Sequence, residues 1–168
     1  MVESTSAHHS APLFPVLFAA PLGLVPVAVH SAALAFALNR VFARQIRESE
    51  MDFLRGRIVV IEVRDARLTF RLTLSGGQLA AADRGAPDLV VGGSVYDLLL
   101  LATGREDPDT LFFQRRLSLD GDTELGLYVK NFLNSQDPQE VFPAPLRLVL
   151  PHLAPLYDRL FGKRQNFL

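Results

Sequence analysis

Apolar and polar positions alternate with a period of two along residues 67–74, where Leu68, Phe70, Leu72 and Leu74 are separated by Thr69, Arg71 and Thr73. That period gives a strand one buried face and one wet face. Residues 57–63 form a second β-rich run, joined to the first by a turn at Arg64-Asp65-Ala66, and Ser75-Gly76-Gly77 turns the chain into a third run at 78–82. Together they predict a three-strand meander. Residues 88–92 predict a fourth strand. A fifth is expected at 116–120, where Leu117 and Leu119 alternate with Arg116, Ser118 and Asp120 before Gly121 closes the run.

Between and around these strands the spacing becomes helical. Ser94 followed by Asp97 reads as a capping box opening a helix over 95–103, and Gly104 stops it. Leucines point around most of that helix, so it requires cover on several sides. Asp107 is placed to cap a further turn, with Pro108 at its first position and Asp109 near the positive end of the dipole. This turn delivers Leu111, Phe112 and Phe113 toward the interior. Asp122 caps the next helix, on which Leu125, Tyr128, Val129, Phe132 and Leu133 form one apolar stripe. Earlier in the chain, residues 26–48 predict a long helix with Leu34, Leu38, Val41 and Phe42 on one face and Arg40, Arg44 and Arg47 on the other. Helices before, within and after a sheet make an α+β layer fold.

The two ends are unusually apolar. Residues 4–39 contain no Asp, Glu, Lys or Arg. No positive region precedes the apolar run, so it is not expected to be a cleaved signal peptide. A membrane span needs about 20 continuous apolar residues, whereas Pro12, Pro15, Pro21 and Pro26 interrupt this stretch. Two readings stand for residues 1–25: a cover for the core, or an interfacial element that places Leu13, Phe14, Leu17 and Phe18 in lipid. In the tail, residues 143–163 carry Leu146, Val149, Leu150, Leu153, Leu156, Tyr157, Leu160 and Phe161 at helical spacings, with Pro151 and Pro155 inside. Kinked helices are expected, closing the core or acting as a flap.

Composition narrows the function further. With 168 residues and 49% apolar content, the chain suits one domain of residues 26–168 with the Pro-broken segment appended. Zero Cys rules out a disulfide framework, thiolate metal sites and an iron–sulfur cluster held by this chain, and it fits a cytoplasmic protein. A net charge of −1 supplies no field for nucleic acid. The sequence holds no GxSxG, HExxH, P-loop or dinucleotide fingerprint. His30 and His152 stand alone in apolar runs, and the Asp107/Asp109 and Asp120/Asp122 pairs sit at caps and turns. No catalytic, metal or cofactor site is therefore expected. The adjacent Arg115 and Arg116 are open to two readings, a solvated strand edge or a contact for a lipid headgroup or acidic partner.

The spacing Gly104, Asp107, Pro108, Phe112, Phe113, Leu117, Gly121, Asp122 and Leu125 resembles the sterol-carrier-type lipid-binding domain. The resemblance implies a five-stranded, mainly antiparallel sheet covered by helices that enclose an apolar cavity, with the terminal apolar helices as additions. Its walls would be Phe70, Leu72 and Leu74 from the sheet, Leu98 and Leu101 from the central helix, and Phe112, Phe113, Leu127, Phe132 and Leu133 from the following segment. The fuller runs DPDTLFFQRRL and GDTELGLYVKN are similar to a branch of the family that serves oxygen-independent ubiquinone biosynthesis. That branch implies a non-catalytic accessory factor, cytoplasmic and peripheral to the inner membrane. It would shelter the isoprenoid tail of quinone intermediates and present the head to iron–sulfur hydroxylases of the UbiU and UbiV kind. The alternative is a phospholipid-binding, membrane-docking protein. Association of two copies through their apolar ends stays open at this point.

Overall fold

The computed structural model describes residues 25–82 and 84–137, together with residues 148, 152, 153, 155–157 and 159. Its described elements run α1 (Val27–Val41), α2 (Ala43–Arg47), a 3-10 turn (Asp52–Leu54), β1 (Val59–Val63), β2 (Leu68–Ser75), β3 (Gln78–Ala81), β4 (Leu89–Gly93), α3 (Val95–Ala102), α4 (Pro108–Phe113), β5 (Ser118–Gly121) and α5 (Thr123–Ser135). The strands form one sheet in the order β3-β2-β1-β4-β5. Strands β1, β2 and β3 make the meander, β4 joins β1 in parallel through Val59↔Leu89 and Ile61↔Val91, and β5 returns antiparallel to β4. The sheet is mixed because the parallel β4 follows a loop that crosses from β3 on one edge to the far side of β1.

Register puts Val59, Ile61, Leu72, Leu74, Leu79, Leu89, Val91 and Leu119 in or against one hydrophobic cluster. Helix α1 lies over β2 and β3. Its contact is polar as well as apolar. The buried Ser31 hydroxyl donates to the Val27 carbonyl at 2.7 Å and accepts from the Arg71 backbone N–H at 2.8 Å. Two turns further along, the Asn39 amide donates to the Leu79 carbonyl and accepts its N–H, both at 2.8 Å. Strand β3 is an edge, and its free backbone groups would otherwise invite pairing with another chain. Asn39 satisfies two of them.

Several element ends differ from the sequence expectation, each for a local reason. The expected helix over 26–48 is interrupted at Phe42, with φ −101° and ψ 25°. The bend carries Gln45, only 2% exposed, to the end of α5, where its amide donates to Gln136 at 2.8 Å. Strand β1 begins two residues later than expected because the Ile58 N–H bonds to the Asp88 carboxylate at 2.7 Å. Strand β5 begins at Ser118 because the N–H groups of Arg116 and Leu117 both turn back to the Leu111 carbonyl.

The caps follow the sequence closely. Ser94 and Asp97 form a reciprocal capping box on α3, the Asp107 carboxylate accepts from the Thr110 N–H, and Asp122 accepts from the N–H groups of Glu124 and Leu125. Gly121 has φ +124°, and a Cβ there would stand 2.4 Å from the Asp88 carbonyl, so this corner admits no side chain. Residues 1–24 and most of the tail lie outside the described residues, which leaves the two readings of the Pro-broken segment and the kinked tail as expectations. Among the described tail residues, His152, Leu153, Pro155, Leu156 and Tyr157 are helical. Among the described residues no helix is long and apolar enough to cross a membrane.

Candidate functional site

Helices α1, α3 and α5 do not close fully on the sheet. Between them lies a hollow of about 160 Å³ whose lining side chains are all apolar. The sheet supplies Val59, Ile61, Leu72, Leu79 and Val91 as its floor. Leu38 and Phe42 enter from α1 and the bend after it, Leu98 and Leu101 from α3, and Val129, Phe132 and Leu133 from α5. Phe53 and Leu54 from the 3-10 turn, with Met51 just before it, complete the wall. Apolar cavities of about 150 Å³ stay dry and take up a benzene-sized guest, so this one has room for about six carbon atoms by the same measure. Ligand pockets are usually larger, about 300–1,000 Å³.

Three phenylalanines meet at one end. The Phe42 and Phe132 rings stand edge-on with centroids 5.3 Å apart, Phe53 and Phe132 are tilted at 5.9 Å, and Tyr128 stacks on the outer side of Phe53 at 6.0 Å. Beyond them a second, open hollow of about 340 Å³ is lined by Glu50, Tyr128, Asn131 and Ser135 together with the same Phe53 and Phe132.

Of the ten wall residues expected from the sequence, Leu72, Leu98, Leu101, Phe132 and Leu133 are brought together around the inner hollow. Leu74 is buried in the adjoining core. Phe70 lies on the same sheet face but outside the hollow, with its ring edge-on to His30 of α1 at 6.2 Å. Leu111, at 0% exposed, takes an interior position of α4 with the buried Pro108, whereas Phe112 is half-buried and Phe113 is 87% exposed. Leu127 is 54% exposed and borders a separate surface hollow beside Gly121, Thr123 and Lys130. The lipid-facing set Leu13, Phe14, Leu17 and Phe18 lies outside the described residues. The sequence expectation missed Phe53 and Met51, which sit in and just before a turn too short to show a period. Leu79 and Val91 carried the usable signal, since both are large apolar residues in runs expected to be strands.

The strand-edge reading of the arginine pair does not hold. Neither residue belongs to β5: Arg115 is exposed in the left-handed region at φ +58°, and Arg116 turns inward. The Arg116 Nε donates to the buried Asp97 carboxylate at 2.7 Å, and the guanidinium lies 5.7 Å from the Tyr96 ring centre. Because Asp97 also holds the α3 cap through Ser94, this ion pair ties α4 and β5 to the helix that supplies Leu98 and Leu101. Tyr157 stacks on Tyr96 at 5.6 Å, and burial first, then the nearby Asp65 and Asp97 charges, pushes its phenol up to about 12. At the opposite end of the sheet the Ile58 N–H and the Arg57 guanidinium hold the Asp88 carboxyl below the usual carboxylate range. None of these groups borders the inner hollow. Among the described residues, no group of three or more His, Asp or Glu side chains is placed to hold a metal ion.

The model of the SCP-2 sterol transfer family matches residues 38–134. The ubiquinone biosynthesis accessory factor UbiT of Escherichia coli (strain K12) is 39% identical over 142 residues, covering 84% of this chain and 81% of that protein, and the same protein from Escherichia coli O157:H7 matches with the same figures. The solved structure described as "UbiJ-SCP2 Ubiquinone synthesis protein" superposes with a TM-score of 0.54 at 22% identity, over 71% of this chain and 99% of that one. The last likeness bears on the fold alone.

Proposed function

This chain belongs to the SCP-2 sterol transfer family, and from that membership we propose that it is a non-catalytic lipid-binding accessory factor of ubiquinone biosynthesis. In this reading it serves the oxygen-independent branch, shelters part of the isoprenoid tail of an intermediate, and presents the aromatic head to hydroxylases of the UbiU and UbiV kind. Its place of action is the cytoplasmic surface of the inner membrane.

The observation that carries the proposal is the wholly apolar hollow between sheet and helices. A hydrocarbon chain needs no polar grip there: at about 0.8 kcal/mol per buried methylene, six carbons contribute about 5 kcal/mol. The hollow accepts only the first part of a long chain. The remainder either displaces the aromatic side chains at its end or stays in the bilayer.

A second reading, a phospholipid-binding protein that docks on membranes, is favoured by the outward face of α1. Val29 and Phe36 are exposed there, Phe36 to 62%, and the Arg40 guanidinium lies 4.6 Å from the Phe36 ring centre. Apolar side chains flanked by a cation suit the boundary between acyl chains and phosphates. Native mass spectrometry of the full chain with solvent extraction of its bound lipid tests both. Prenylated aromatic compounds in the extract are expected, phospholipid alone supports the second reading, and an empty protein that binds neither overturns both.

A further inference from the structure

The inner and outer hollows share Phe53 and Phe132 as a common wall. We propose that they are two halves of one ligand site: the outer hollow takes an uncharged, hydroxylated aromatic ring, the inner one the first part of its apolar chain, and the Phe53–Phe132 pair is the gate between. This rests on the lipid-binding reading above and adds the chemistry of the head.

The gate follows from contact geometry. Phe132 reaches Phe42 on its inner side and Phe53 on its outer side, so turning that one ring opens the partition without breaking a backbone hydrogen bond. The ring-shaped guest follows from the wall itself. Phe53 and Tyr128 are stacked with planes 19° apart, and with Phe132 they offer aromatic faces and edges to a third ring. The hydroxyl requirement follows from the polar rim. Glu50 offers carboxylate oxygens that can only accept, and Asn131 can donate and accept; both are exposed, and among the described residues neither has a partner. Ser135 is already engaged, donating to the Phe132 carbonyl and accepting from Gln136. The local charge disfavours an anionic head, since Glu50 is joined by Glu124, whose carboxylate accepts from the Tyr128 hydroxyl.

The test uses the full-length protein and three probes with one chain: ortho-farnesylphenol, farnesene and farnesyl phosphate, each titrated by calorimetry. Farnesylphenol is expected to bind about tenfold tighter than farnesene, the value of one added hydrogen bond to a charged acceptor, and farnesyl phosphate weakest of the three. Glu50→Ala combined with Asn131→Ala, which removes both side-chain acceptors, should erase the preference for the phenol while leaving farnesene affinity and the melting temperature unchanged. Phe132→Ala should speed both association and release of farnesene. Equal binding of phenol and hydrocarbon, tighter binding of the phosphate, or a preference that survives the double substitution overturns the head site and leaves the inner hollow standing. Failure of all three probes to bind overturns the lipid-binding reading as well.

Discussion

Replacing Leu101 with tryptophan tests whether the inner hollow binds the chain. Leu101 projects from α3 into the space over the sheet floor, and a tryptophan ring at that position occupies most of the room now open. Two opposing terms set the effect on the empty protein. An unfilled cavity costs about 24 cal/mol per Å³, so the hollow of about 160 Å³ carries a penalty of about 4 kcal/mol. Overpacking costs about 1–3 kcal/mol, so Leu101→Trp is expected to leave the melting temperature unchanged or raise it. Binding moves the other way. Loss of most of the room for about six carbons removes about 4 kcal/mol of hydrophobic transfer, a weakening of roughly a thousandfold in the dissociation constant. Circular dichroism and thermal melting establish that the variant folds, and calorimetric titration with farnesene gives the affinity. A folded Leu101→Trp protein that binds farnesene within threefold of the parent refutes the assignment.

Three further outcomes follow from the polar framework. Asn39→Ala strips two hydrogen bonds from the edge strand, and an expected loss of about 1–3 kcal/mol in urea unfolding should be accompanied by concentration-dependent association through β3; an unchanged midpoint contradicts the role given to Asn39. Asp88 has a depressed carboxyl, so its contribution is fully present above the ordinary carboxylate value near 3.9 and is lost as pH falls through the lower folded value. Asp88→Asn should therefore destabilise the protein at neutral pH and flatten the acid limb of the stability profile below about pH 4, and parallel profiles for the two proteins would show that Asp88 is not linked to folding. The raised phenol of Tyr157 acts in the opposite sense: its contribution is present below the ordinary value near 10 and fades as pH rises through about 12. Spectrophotometric titration should lose a component rising toward about 12 in Tyr157→Phe.

The strands, the three side-chain caps and the family were legible because each rests on local chemistry. Alternation in Leu68-Thr69-Phe70-Arg71-Leu72 fixes a face, and Ser94, Asp107 and Asp122 each have a free N–H within a turn to accept. Half of the expected wall residues meet at the hollow for the same reason. Leu72, Leu98 and Leu101 are placed by the periods of their own elements. Phe113 was not, because the short α4 buries Pro108 and Leu111 and turns Phe113 outward, and Leu127 was not, because it lies off the stripe of Leu125, Val129, Phe132 and Leu133 on α5. Phe53, in a 3-10 turn of three residues, and Met51, just before it, were hidden because so short a turn shows no period and the inward position of Phe53 depends on α5 across from it. Arg116 was misplaced onto a strand because its partner, Asp97, lies 19 residues earlier on a different element. Long-range ion pairs leave no periodic trace.

The most direct measurement is nuclear magnetic resonance on protein deuterated except for its labelled leucine and valine methyl groups and saturated with a protonated farnesyl chain. Cross-relaxation from the chain to the methyls of Leu72, Val91, Leu98 and Leu101 is expected, since these line one hollow from three elements. Cross-relaxation confined to outward-facing methyls such as those of Val29 or Leu127, with the interior set silent at saturation, would place the lipid on the surface and contradict a chain held between sheet and helices.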